Sequence, residues 1–250
     1  MGYYGFQYQK TTSSSSIVFY RVFLLSLPKI KLMKKLLLFL LCIPFLSFAQ
    51  EVNQTDVDGN KQGVWTKSYK NGKVRYKGQF KNDKPFGLFY YYKISGELQA
   101  EKKFFHNGTA AATHIFYKGG ELQAVGLYVN ELKDSTWNYY NRDSLLIMSE
   151  EYQQGKLNGT TKTYYYEGSL YEVKSWNKDV LDGDWKHFFM DGTLKMQSTY
   201  NKGKRDGKQT YYHPNGKVYY KGKYTDDLKV GVWEYFNEEG VTDTIINYNE

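Results

Sequence analysis

The chain has one cysteine, Cys42, and only four prolines and four histidines in 250 residues. A single cysteine excludes a disulfide framework and a thiolate metal cluster. The histidines (His106, His114, His187 and His213) are scattered singly, with no spacing that makes metal ligands converge. The sequence has no phosphate-cradling glycine loop and no nucleophile elbow. Gly203-Lys204-Arg205-Asp206-Gly207-Lys208 lacks the spacing of a phosphate loop. No metal, cofactor or catalytic residue set is expected, and an enzyme is not the reading these residues support.

A block of one charge sign is also missing. The formal charge of +8 suggests a nucleic-acid surface until the charges are placed. Residues 1–50 hold six basic residues and no acid, which leaves 28 basic against 26 acidic residues beyond them. The remaining lysines are spread over turn positions rather than clustered, so no nucleic-acid partner is expected.

Apolar residues run without interruption in only one region. Met33 opens MKKLLLFLLCIPFLSFAQ, with Lys34 and Lys35 followed by an apolar stretch over 36–46. Ser47-Phe48-Ala49 places small residues where a signal peptidase cuts. This reads as a signal peptide over 33–49, with Cys42 discarded, and it implies an exported protein of the periplasm, outer envelope or extracellular space. Residues 1–32 carry no repeat and read as a miscalled upstream extension or a disordered leader.

What the chain has in abundance is self-similarity. Written in lines of 24 from Gly63, it aligns without insertion, and the first column reads Gly63, Gly87, Ala111, Ser135, Gly159, Gly183, Gly207, Gly231. A fixed period marks a repeat array, which grows by addition rather than by enlarging one core. Residues 50–62 form an N-terminal cap, and eight units of 24 fill 63–250, the last cut short.

Each unit reads as a β-hairpin. The first strand falls in columns 2–7, as in Val232-Trp233-Glu234-Tyr235-Phe236-Asn237, too short and too β-branched and aromatic for a helix. A turn ends at column 10, glycine in seven units, and Asn71-Gly72, Asp191-Gly192 and Asn215-Gly216 are strong hairpin signals. Ser144 replaces that glycine and predicts a looser hairpin there. The second strand falls in columns 11–19. Its column 12 is aliphatic in seven units and its column 18 aromatic in eight, Phe80 to Tyr248, and their shared parity predicts one common face.

Two further columns are aromatic. Column 3 holds Trp65, Phe89, Trp137, Trp185 and Trp233, and column 6 includes Tyr92, Tyr140, Tyr164 and Tyr212. These nine are the candidate binding-face residues. Columns 3 and 6 differ in parity, so either both faces carry aromatics or a bulge re-aims one column. Neighbouring hairpins joined edge to edge predict an all-β fold: an elongated, twisted antiparallel sheet of sixteen strands, roughly 75 Å long at about 4.8 Å per strand.

These columns resemble the MORN repeat, in the variant form of YwqK-type proteins often labelled antitoxin components. Gly63-Val64-Trp65, Tyr69-Lys70-Asn71-Gly72-Lys73-Val74 and Gly231-Val232-Trp233-Glu234-Tyr235-Phe236 carry the resemblance. Ala111, Thr113, Ser135 and Ser144 depart from it, and pairing or curvature is expected to differ in units three and four. The resemblance implies a hairpin array that binds or scaffolds a protein or peptide. The alternatives are envelope glycan or lipid binding through the aromatic rows, and antitoxin-like inhibition of a toxin.

Overall fold

The computed structural model describes residues 51–248. The expected leader over 1–32, the expected signal peptide over 33–49 and Cys42 lie outside the described residues. Every strand is antiparallel to its neighbour, and strands pair in chain order. The first six are β1 (Gln54–Thr55), β2 (Lys61–Ser68), β3 (Val74–Lys81), β4 (Lys84–Tyr92), β5 (Leu98–Phe105) and β6 (Ala110–Phe116). The next six are β7 (Leu122–Val129), β8 (Leu132–Tyr140), β9 (Leu146–Gln153), β10 (Lys156–Tyr164), β11 (Leu170–Asn177) and β12 (Val180–Phe188). The series ends with β13 (Leu194–Asn201), β14 (Lys204–Tyr212), β15 (Val218–Thr225), β16 (Leu228–Phe236) and β17 (Thr242–Asn247). Together they make one 17-stranded sheet, the tandem-hairpin architecture expected.

The tight turns are not where the glycines pointed. Column 10 closes a five-residue loop: Tyr69 N–H donates to Lys73 O (2.8 Å) and Gly72 N–H to Tyr69 O (3.0 Å). Gly72 sits left-handed at φ +82°, a type I turn followed by a glycine bulge. The two-residue turns fall instead at the joins between units. Asn82 and Asp83 both have positive φ, as do Lys178 and Asp179, and Asp226 and Asp227. That is the type I′ geometry, which asparagine and aspartate tolerate. The first strand of each unit therefore starts before column 1. Ser144 does not loosen its loop. It adopts φ +61° and keeps both hydrogen bonds, while Asn141 Oδ1 accepts from the Asp143 and Leu145 amides.

Bulges interrupt the parity used above. Between β4 and β5 the register runs Tyr91↔Ala100, then Tyr92↔Leu98, so Gln99 is extra. The same slip recurs in the other hairpins, and alternation does not carry from column 12 to column 18. A second bulge sits at column 1. Between β3 and β4 the register passes from Lys77↔Tyr90 to Gln79↔Phe86, so one residue, Gly78, spans three.

Unit three is the exception to that second bulge. Ala111 is not left-handed, and β5 pairs with β6 without a break from Ala100↔Ile115 to Phe105↔Ala110. The two residues absorbed elsewhere by the bulge go into the turn, which becomes His106-Asn107-Gly108-Thr109 with a single 3-10 turn over His106–Gly108. Unit four keeps the bulge, because Ser135 takes φ +58°. Of the two units expected to differ, unit three changes its pairing and unit four does not.

Neighbouring loops are tied in alternate units. The Tyr69, Tyr117 and Tyr165 hydroxyls donate to Tyr92, Tyr140 and Phe188 carbonyls at 2.7–2.9 Å, and His213 Nε2–H donates to Phe236 O at 2.9 Å. Column 7 thus alternates donor rings with Lys93, Asn141, Phe189 and Asn237, a 48-residue period laid over the 24-residue one.

Candidate functional site: an aromatic cleft beside unit three

Column 3 rings pack on one face of the sheet with columns 5, 16 and 18. The tightest contacts are to column 16 of the preceding unit. A Cβ added at Gly78 would fall 2.2 Å from the Phe89 ring, at Gly126 2.2 Å from Trp137, and at Gly222 2.1 Å from Trp233. A ring lying on bare backbone leaves no room for water: Phe89 is 2% exposed and Trp137 and Trp233 are 0% exposed. Column 18 rings close the sides edge to face, Phe80 on Phe89 at 5.2 Å, Tyr128 on Trp137 at 4.9 Å and Tyr224 on Trp233 at 5.1 Å. Each glycine precedes its ring by eleven residues, a sequence signal that the column reading above did not use.

The nine candidate aromatics do not share a surface. Phe89, Trp137 and Trp233 are buried, and Trp65 and Trp185 are half-buried on the same packed face. Trp65 Nε1–H reaches Gln54 O (3.1 Å), and Trp185 Nε1–H reaches Glu172 Oε1 (2.7 Å). Tyr92, Tyr140, Tyr164 and Tyr212 are half-buried and follow, one residue on, the column 5 side chains of the packed face. Successive strand residues point to opposite faces, so column 6 belongs to the other side. Phe236, in the same column, lies 5.2 Å beneath the Lys221 ammonium, which pairs with Glu234. Both faces carry aromatics, the first of the two options left open by parity. Column 5, which the sequence reading passed over, supplies Tyr91 stacked on Phe89 and Tyr139 tilted on Trp137.

Lysines lie over these rings. Lys133 Nζ is 4.9 Å from Trp137 and 4.7 Å from Tyr152, and Lys229 Nζ is 4.3 Å from Trp233 and 5.2 Å from Tyr248. Each also has a phenol acceptor, Tyr139 at 2.6 Å for Lys133 and Tyr235 at 3.3 Å for Lys229.

Beside unit three the packing opens. Thr113 takes the ring's place in column 3, fully buried opposite Lys102, with Ala100, Ala110, Ala111 and Ala124 buried around it. Ala110 and Ala111, with Gly108 and Thr109, line a cleft of about 610 Å³. Its walls are the rings of Tyr76, Phe80, Phe89, Tyr91, Phe104 and Tyr128, and Lys102 and Glu131 are its charged lining. A hollow of about 280 Å³ adjoins it and shares Tyr91, Lys102 and Tyr128. The Lys102 ammonium lies 4.3 Å from the Tyr128 centroid and 5.8 Å from Tyr91. Burial among the rings lowers its pKa below the ordinary lysine value, and the Glu131 charge partly offsets this. Burial also pushes the Tyr91 hydroxyl up to about 12, helped by Tyr76.

A second polar cluster occupies the packed face between β11 and β12. Glu172 is 8% exposed, with Lys174 Nζ at 2.8 Å, Trp185 Nε1 at 2.7 Å and His187 Nε2 at 2.7 Å, the last without hydrogen-bond alignment. Its oxygens are committed to neighbours, as a buried carboxylate requires. His106 and His114 are exposed and lie elsewhere. Among the described residues no group of three His, Cys, Asp or Glu side chains could hold a metal ion.

Comparison with known proteins adds the following. No curated protein matches the chain. A chain in "Crystal Structure of TcdB2-TccC3-Cdc42" is similar over 75% of this one, at 12% identity and a TM-score of 0.20, and this chain spans 13% of its length. The family model described as MORN repeat variant matches residues 61–82, 181–202 and 205–226. Each matched segment opens two residues before a first-column glycine and ends in the two-residue turn that joins it to the next unit, so what the family model shares with this chain is the hairpin and its join.

Proposed function

We propose that this chain is a non-catalytic, exported repeat protein that holds a partner protein on the packed face of its sheet, at the cleft beside unit three. The observation that carries this reading is the cleft itself. At Gly78, Gly126 and Gly222 a ring closes over bare backbone, whereas beside unit three Gly108, Ala110 and Ala111 line, together with six aromatic rings, a space of about 610 Å³. Ligand sites are commonly concave, mostly apolar and furnished with few polar groups, in the range of about 300–1,000 Å³. The apparent signal peptide over 33–49 supports export, and the MORN-variant segments support a binding role.

The test is affinity capture from the envelope fraction of the native host, using the full chain tagged at its C-terminus beside a Thr109→Trp variant. Thr109 is exposed and lines the cleft, so the indole enters the space from its solvent side. One protein recovered in near-stoichiometric amount on the native chain and lost on the variant is the expected result. Equal recovery on both, or none on either, overturns the reading. An envelope glycan or lipid retained by both would instead favour the half-buried aromatic row of column 6, and a captured toxin would turn the scaffold into an inhibitor.

A further inference from the structure

Resting on that reading, we infer that the cleft's occupant is a peptide segment in which a single carboxylate sits beside an aromatic or aliphatic side chain. Lys102 carries the first half of the inference. Its ammonium is half-buried and touches two ring faces. Among the described residues it makes no hydrogen bond and no carboxylate reaches it within ion-pair distance. A ring face attracts a cation but does not replace the oxygen acceptors that an ammonium has in water. Lys133 and Lys229, two other lysines over rings, have phenol oxygens at 2.6 and 3.3 Å, whereas Lys61, over Trp65 and Phe80, lines no such cleft. Lys102 is left with its donors directed into an open space lined by rings. A carboxylate entering that space supplies oxygens in a charge-assisted bond, which is shorter and stronger than a neutral one.

Glu131 narrows the class of anion. It lines the same cleft, so a phosphate with two negative charges meets repulsion that a carboxylate with one feels less. The walls narrow it further. Tyr76, Phe80, Phe89, Tyr91, Phe104 and Tyr128 offer ring surface, and Gly108, Ala110 and Ala111 offer little to bond with. A sugar brings a hydroxyl at nearly every carbon and needs partners for each. An apolar side chain gains by burying area there.

The probes are two blocked peptides, acetyl-Phe-Glu-Phe-amide and acetyl-Phe-Gln-Phe-amide, titrated into the full-length protein and followed by intrinsic fluorescence. The glutamate peptide is expected to bind about tenfold more tightly. Lys102→Met keeps the apolar stem and removes the charge, so the preference should vanish, while Lys102→Arg should retain it. Glu131→Gln should widen it. Equal affinity of the native chain for both peptides overturns the carboxylate assignment and leaves the cleft standing as a binding site. Failure of both peptides to bind at millimolar concentration, with an oligouronate binding instead, overturns the peptide reading of the cleft altogether.

Discussion

The join between units three and four and the join between units two and three use the same columns and end differently. At the first, Gly126 lies under Trp137, Tyr128 closes the side, and Trp137 has no exposed surface. At the second, Lys102 faces Thr113, the column 1 bulge is gone, and a hollow of about 280 Å³ lined by both adjoins the cleft of about 610 Å³. The difference shows how a repeat array can be stable along its length and still keep an opening. Stability depends on the sealed joins. A single unit can give up its ring, move two residues from bulge to turn, and lose burial only locally, because each unit packs only on its neighbours.

The sharpest contrast comes from removing the column 3 side chain at both joins. Trp137→Ala should cost about 3–5 kcal/mol, the range for a buried large aromatic, and Thr113→Ala about 1 kcal/mol. Urea unfolding of the two variants measures both, and similar losses would break the comparison. The glycine side of the join comes next. Gly222→Ala drives a methyl into the Trp233 ring and should cost about 1–3 kcal/mol, whereas Ser198→Ala, at the same column, should cost less than about 1 kcal/mol.

Column 1 gives a smaller effect that changes sign. Ser135 holds φ +58°, so Ser135→Gly should stabilise by about 0.5–1 kcal/mol. Ala111 sits in unbroken pairing, so Ala111→Gly should destabilise by a similar amount, about 0.5–1 kcal/mol. The smallest expected effect is a slope in pH. Burial depresses the His187 pKa below 6.5 despite Glu172 beside it. The unfolded chain therefore binds the proton more readily, and stability should fall as pH drops through about 6.5 and level off below the folded value. His187→Gln should flatten that part of a melting-temperature profile.

Much of this was legible in the sequence. The 24-residue period, the all-β class and the aromatic columns came from spacing alone, and Ala111 and Thr113 marked the unit that changes. Hairpin boundaries were not legible, because Asn-Gly fits both a two-residue turn and a five-residue loop, and the tight turns fell on pairs such as Lys178-Asp179 and Asp226-Asp227. Parity failed where bulges at columns 1 and 13 reset the alternation. Lys102 stood out in no column. Its importance depends on what surrounds it across three strands, which a one-dimensional pattern does not contain. The pairs Gly78–Phe89, Gly126–Trp137 and Gly222–Trp233 were legible and were missed, since each spans two units.

Hydroxyl-radical footprinting of the full-length protein, read residue by residue by mass spectrometry, tests the sealed-and-open account most directly. It should leave Trp137 and Trp233 unmodified while Trp65, Trp185 and the cleft rings Phe104 and Tyr128 react. Uniform modification along column 3, with Trp137 as reactive as Trp65, would contradict the account.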